Sequence, residues 1–125
     1  MKTLLYKNKF RDFLKKNKFF FPKFKVFSNF NNFNKYLKNN KNHVIIKPVD
    51  SAGSRGVFKI DFQNLSEIKK LFLFTKKFSK KKKVICEEFI NTNFPQIAGD
   101  AIIFDNKIVF SHWADQYYNK LLNPL

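Results

Sequence analysis

The residues of this 125-residue sequence that could do chemistry lie in two short stretches. The first runs from His43 to Ile60 and reads HVIIKPVDSAGSRGVFKI. Lys47 closes an apolar run, Val44-Ile45-Ile46, where an ammonium group is costly to bury unless something negative meets it. Phosphate is the economical partner. The small polar loop that follows carries Ser51, Gly53, Ser54, Arg55 and Gly56, and holds two of the chain's three glycines. Glycine lets a backbone come close to a ligand or adopt positive φ. Backbone N–H groups, serine hydroxyls and an arginine fork in one loop make an anion-binding surface. The plain alternative is a hairpin with a Ser/Gly turn and a surface lysine. The loop has neither the GxxxxGK(S/T) spacing of a P-loop nor the GxGxxG of a dinucleotide fingerprint. The second stretch, VICEEFI from Val84 to Ile90, carries Glu87 and Glu88 side by side. In a strand they point to opposite faces. They are therefore not a paired acid and base, and the expectation is that one faces a cleft and the other solvent.

Composition bounds what partners such groups meet. The formal net charge of +16 taken at face value suggests an acidic partner such as nucleic acid. Two features argue against that reading. Only Arg11 and Arg55 are arginines, and arginine is the preferred residue for bidentate phosphate and base recognition. Lys, Asn and Phe are also inflated together while Gly, Ala and Pro are scarce, the pattern of an AT-rich coding bias. Cys86 is the only cysteine, which leaves no internal disulfide and no cysteine-based metal site and suggests a reduced, cytoplasmic setting. No apolar run approaches the ~20 residues of a membrane span. The N-terminus is broken by Lys and Arg too often for a signal-peptide core.

The elements that must position these residues can be read from periodicity. Residues 3–16 form an expected helix with Tyr6, Phe10, Phe13 and Leu14 on one face. Lys23 to Phe27 alternates as a strand. Ser28 is the expected N-cap of a helix carrying Phe30, Phe33, Tyr36 and Leu37, aromatics that read as core. Val44 onward and Val57–Ile60 are strands flanking the loop. Asn64 or Ser66 caps a further helix with Leu65, Ile68, Leu71, Phe72, Thr75 and Phe78 in one stripe. The lysines near its end, Lys76, Lys77 and Lys80 to Lys83, suit the helix dipole and read as a solvated helix end. Val84–Ile90 is a strand and Asn91–Pro95 a turn. Ile97–Phe104 and Ile108–Trp113 form a hairpin about Asp105-Asn106. Residues from Asp115 onward show no pattern.

In this order the chain resembles the ATP-binding core of the ATP-grasp family, in the branch of carbamoyl-phosphate synthase and related carboxylate–amine ligases. The resemblance rests on three blocks and covers nearly the whole chain. IIKPVDSAGSRGV is similar to the family's lysine strand and phosphate-covering loop. VICEEFI is similar to the strand that hinges two subdomains and grips adenine. QIAGDAIIFDNKIVF is similar to the antiparallel pair that follows. The resemblance implies an α+β fold, an incomplete ATP-grasp-like core with a mainly antiparallel sheet and flanking helices. Residues 1–90 would form the small nucleotide-binding subdomain with its preceding helix, and 91–125 the start of the larger one.

It also implies roles. Lys47 would contact the ATP phosphates and the adenine edge, and Ser51, Gly53, Ser54, Arg55 and Gly56 would close over the phosphates. Glu87 and Glu88, with the backbone of Phe89 and Ile90, would line the adenine pocket. Lys7 stands where the family often has a basic residue reaching the phosphates. Gln96 stands near a position that is commonly a Glu on the ribose hydroxyls. Asp100 reads equally as a site residue or a polar edge residue. The matched region is truncated at both ends relative to the family. The acidic residues and Asn that hold Mg2+ in the family lie in a later segment, so the ligands of this expected metal are not in the chain. The function implied is that of an ATP-binding fragment of a ligase acting on a small carboxylate through an acylphosphate. The competing classes are a small basic nucleic-acid-binding protein, the less favoured, and a non-catalytic remnant that needs a partner chain.

Overall fold

The computed structural model describes residues 2–40, 43–60, 64–91 and 95–117. It divides into two compact units, Met1–Ile90 and Asn91–Leu125. The first unit carries helices α1 (Lys2–Leu5), α2 (Lys7–Lys16), α3 (Phe30–Lys38) and α4 (Leu65–Lys77), and strands β1 (Phe24–Phe27), β2 (Val44–Pro48), β3 (Phe58–Ile60) and β4 (Val84–Glu88). The strands form one sheet in the order β1-β4-β2-β3, and every neighbouring pair is antiparallel. The second unit is the hairpin of β5 (Gln96–Phe104) and β6 (Lys107–Gln116). The architecture is thus the expected α+β type with an antiparallel sheet.

The core follows from the alternation of the strands and the stripes of the helices. On β2, Val44, Ile46 and Pro48 are buried while Ile45 and Lys47 lie on the other face and are only partly covered. Val44 and Ile46 pack with Val84 and Cys86 of β4, Ile60 of β3 and Phe27 of β1 against Phe33 and Leu37 of α3 and Ile68 and Phe72 of α4. Phe33 and Phe72 stack at 5.0 Å between the two helices, and the Phe27 ring meets Phe33 edge-on at 5.4 Å. Each such side chain contributes about 1.5–3 kcal/mol on burial. These aromatics are core, as their spacing indicated. Asn64 caps α4, its Oδ1 accepting from the backbone N–H groups of Ser66 and Glu67. Glu67 in the first turn and Lys76 and Lys77 in the last complement the helix dipole.

Several boundaries differ from the periodicity. The helix expected over 3–16 is broken at Tyr6, which is extended. The backbone N–H of Lys7, which a continuous helix would bond to residue 3, instead donates to the Val49 carbonyl at 2.8 Å. Asn29 rather than Ser28 caps α3, its Oδ1 accepting from Asn32 N–H at 3.0 Å. The Ser28 carbonyl instead accepts from Lys76 Nζ. The strand after the loop begins at Phe58 rather than Val57. β4 ends at Glu88 because its partners run out: Glu87 sits opposite Phe24 and Glu88 opposite Val44, the first residues of β1 and β2.

In the hairpin, Asp105 (φ 46°) and Asn106 (φ 58°) form a two-residue turn with both residues left-handed. Asp and Asn tolerate that region, so no glycine is needed. Asp115 and Gln116 pair with Ile97 and Gln96 and extend the ladder into the stretch that showed no pattern. Residues 92–94 of the expected Asn91–Pro95 turn, and 118–125 of the tail, lie outside the described residues.

Candidate functional site

The sheet face opposite the core brings the charged residues together. Lys47 on β2 pairs with Ile85 and Ile45 with Glu87, so Lys47 and Glu87 are diagonal neighbours on one face, within reach of long side chains. Lys47 Nζ donates to Glu87 Oε2 at 2.8 Å. From α2, Arg11 Nε donates to Glu87 Oε1 at 2.7 Å, and Nη2 reaches Oε2 at 3.4 Å. The Glu87 side chain is 1% exposed, against 20% for Arg11 and 23% for Lys47. Burial by itself would push the Glu87 carboxyl up. The hydrogen bonds from Arg11 and Lys47, with their charges, outweigh burial and hold it below the ordinary carboxylate range.

Lys7 sits one helical turn before Arg11, on the same side of α2. Its backbone N–H holds Val49, and its Nζ donates to the Ser51 carbonyl, so one residue grips the start of the loop twice. Its ammonium is held below the ordinary lysine value, first by burial and then by repulsion from Lys47, with Glu87 and Asp50 pulling the other way. Three cations thus gather around the buried Glu87, and Asp50 is the one further carboxylate that Lys7 feels.

The loop is pinned at its ends and open in the middle. Asp50 Oδ2 accepts from the Lys81 backbone N–H at 2.9 Å, while Asp50 Oδ1 is buried with no partner among the described residues. Ala52, Gly53, Ser54 and Arg55 are exposed. Gly53, Ser54 and Gly56 all have positive φ. Gly56 is buried: its carbonyl accepts from Thr75 Oγ1 at 2.9 Å, and a Cβ there would lie 2.8 Å from the Phe78 ring. Gly56 is therefore the packed base of the loop, and residues 52–55 are its free part.

At the end of β4, Glu88 is half-buried; its N–H donates to the Lys23 carbonyl and its Oε2 accepts from Lys23 N–H at 3.4 Å. The Phe89 N–H donates to the His43 carbonyl at 3.0 Å, and Lys59 Nζ lies 4.5 Å from the centre of the Phe89 ring. Ile90 is 62% exposed. Gln96 belongs to the hairpin, exposed and opposite Gln116, and Asp100 lies exposed opposite His112.

One inference from sequence needs correcting. The negative group that meets Lys47 is Glu87, 40 residues away in the chain, so the position of Lys47 beside an apolar run does not by itself demand a phosphate. Arg11 was missed as a site residue. Its signal was present: it is one of only two arginines among 25 basic residues, and it follows Lys7 by one turn. No group of three or more His, Cys, Asp or Glu that could hold a metal ion occurs among the described residues. None of their helices is long and apolar enough to cross a membrane.

Comparison with known proteins places the fold in a class. Neither a family model nor a curated protein matches the chain in sequence. Solved structures do match it. The D-alanine–D-alanine ligase of Helicobacter pylori superposes with a TM-score of 0.72 at 18% identity, over 91% of this chain and 35% of that one. The D-alanyl-alanine synthetase A of Vibrio cholerae gives 0.71 at 13%, over 91% and 34%. The VanG D-Ala:D-Ser ligase of Enterococcus faecalis gives 0.65 at 25%, over 86% and 30%. The chain therefore has the fold of the ATP-grasp ligases, and it spans about a third of the length of the structures it matches.

Proposed function

We propose that this chain is the nucleotide-binding part of an ATP-grasp carboxylate–amine ligase. Lys7 and Lys47 meet the ATP phosphates, and the loop from Ser51 to Gly56 covers them. The observation that carries the reading is the surplus of cations at one place. Arg11 and Lys47 converge on Glu87, and Lys7 beside them is held below its ordinary pKa by burial and by Lys47. A polyphosphate in that place relieves the repulsion. The exposed residues 52–55 supply backbone N–H groups and the Arg55 fork above it. Phe89 and Ile90, at the end of β4, give the base an apolar edge. Residues 1–90 act as the small subdomain, and the hairpin opens the larger one.

In the reaction proposed for the whole ligase, a carboxylate oxygen of the substrate takes the γ-phosphoryl group and ADP leaves. An amine then displaces phosphate from the acylphosphate. The part played by this chain is to bind and orient the triphosphate. Magnesium, which neutralises charge in phosphoryl transfer, has no gathered ligand set among the described residues.

Titration calorimetry of the 125-residue chain with ATP and with inorganic tripolyphosphate tests the reading at two salt concentrations. ATP binding tighter than tripolyphosphate, and surviving the higher salt, is the expected result. Equal binding of both, lost steeply as salt rises, would show diffuse attraction to a basic chain and overturn it.

A further inference from the structure

Glu87 has more counter-charge than its burial requires. One carboxylate, 1% exposed, accepts from both Lys47 and Arg11. The two cations are not alike. Arg11 reaches both oxygens through Nε and Nη2, a planar fork suited to a carboxylate. Lys47 is a single point charge on a flexible stem, and it makes one bond to the carboxylate. Removing the only partner of a buried charge is strongly unfavourable. A lysine that alone neutralised Glu87 could not leave it for a ligand.

We propose that Arg11 is a positioning residue that frees Lys47. When a polyphosphate such as a nucleoside triphosphate arrives, the Lys47 ammonium moves from Glu87 to a phosphate oxygen, and Arg11 keeps the carboxylate paired. Arg11 does not itself touch the ligand. The inference rests on the phosphate-binding reading above. It adds to it a residue 76 positions from Glu87 in the chain and the reason a half-buried lysine paired with a buried glutamate can serve as a binding site.

Two sets of variants of the 125-residue chain test this. The first needs no ligand. Arg11→Met and Lys47→Met each leave Glu87 one hydrogen-bonded cation, so each lowers the unfolding temperature modestly. Together they strand it, and the double variant falls below the sum of the two by on the order of 5 °C. Adding Glu87→Gln removes the stranded charge and recovers that excess, including where the double variant does not fold at all. Additive losses with no recovery would overturn the proposal.

The second set reads ATP affinity. Arg11→Met weakens it about tenfold, and in the Glu87→Gln background the same change matters by less than about threefold. An Arg11 that touched the ligand would lose affinity in both backgrounds. A purely structural one would lower stability without this rescue of binding. Either result sinks the inference while leaving the nucleotide reading intact. A wild-type chain that binds neither ATP nor tripolyphosphate removes both.

Discussion

Lys47→Met is the most direct perturbation of the site. Methionine keeps a stem of similar length and removes the ammonium, so the loss is one charge and one hydrogen bond, the 2.8 Å contact to Glu87 Oε2. Glu87 keeps Arg11 at 2.7 Å. The folding cost is therefore that of one charge-assisted bond, about 1.5–3 kcal/mol, rather than the ~3–5 kcal/mol of a stranded buried ion. In the proposed complex the same ammonium faces phosphate, and losing it should weaken ATP binding by roughly ten- to a hundredfold. Calorimetry or a fluorescent nucleotide analogue reads the affinity, after circular dichroism has shown each variant to be folded. The control is Lys70→Met, an exposed lysine on α4 that changes net charge by the same amount. If Lys70→Met weakens ATP as much as Lys47→Met does, affinity comes from overall charge and the site assignment is wrong.

Further outcomes follow from the same geometry. The Glu87 carboxyl lies below its ordinary value of 4.5 in the folded chain. Its pairing therefore contributes stability that is complete above about pH 4.5 and is lost as pH falls through the folded value; acid unfolding followed by circular dichroism should shift to higher pH in Arg11→Met, and an unchanged midpoint would contradict the assignment. Gly53→Ala and Gly56→Ala both place a side chain at positive φ, at 68° and 70°, which costs about 1–2 kcal/mol each. Only the Gly56 Cβ meets the Phe78 ring, and overpacking adds roughly 1–3 kcal/mol. Urea unfolding should rank Gly56→Ala as clearly the less stable, and equal losses would refute the packing argument. The Cys86 thiol is pushed up to about 12, first by burial and then by Glu87. It should resist a disulfide reagent at pH 8 until the chain is unfolded, and rapid labelling of the native chain would show the sheet core to be open.

Much of the fold was legible because it depends on local repetition. The alternation of Val44, Ile45, Ile46 and Lys47 sets which face of β2 is buried. The spacing of Ile68, Phe72 and Thr75 likewise sets the inner face of α4. What was not legible depends on contacts far apart in sequence. The break at Tyr6 exists because Lys7 N–H finds Val49, and no propensity at residues 5–7 announces it. The reach of β6 to Gln116 is set by the length of β5 opposite. Gly56 reads in sequence as part of a mobile phosphate loop, whereas its neighbours are Pro48 and Phe78.

The charged cluster shows the limit most clearly. Burial pattern alone says that Lys47 needs an anion, and it cannot say which one. The anion came from β4 and a second cation from α2, at separations of 40 and 76 residues. Among 25 basic residues in a lysine-inflated chain, counting charges cannot pick out the few that matter. What distinguishes Lys7, Arg11 and Lys47 is that each is partly withdrawn from water and ties distant elements together, and that all three gather about one buried carboxylate. A surface lysine kept only by codon bias has no reason to accept the desolvation of such a place. Glu87 and Asp50 offset two of these three charges, and the proposed triphosphate would answer the third.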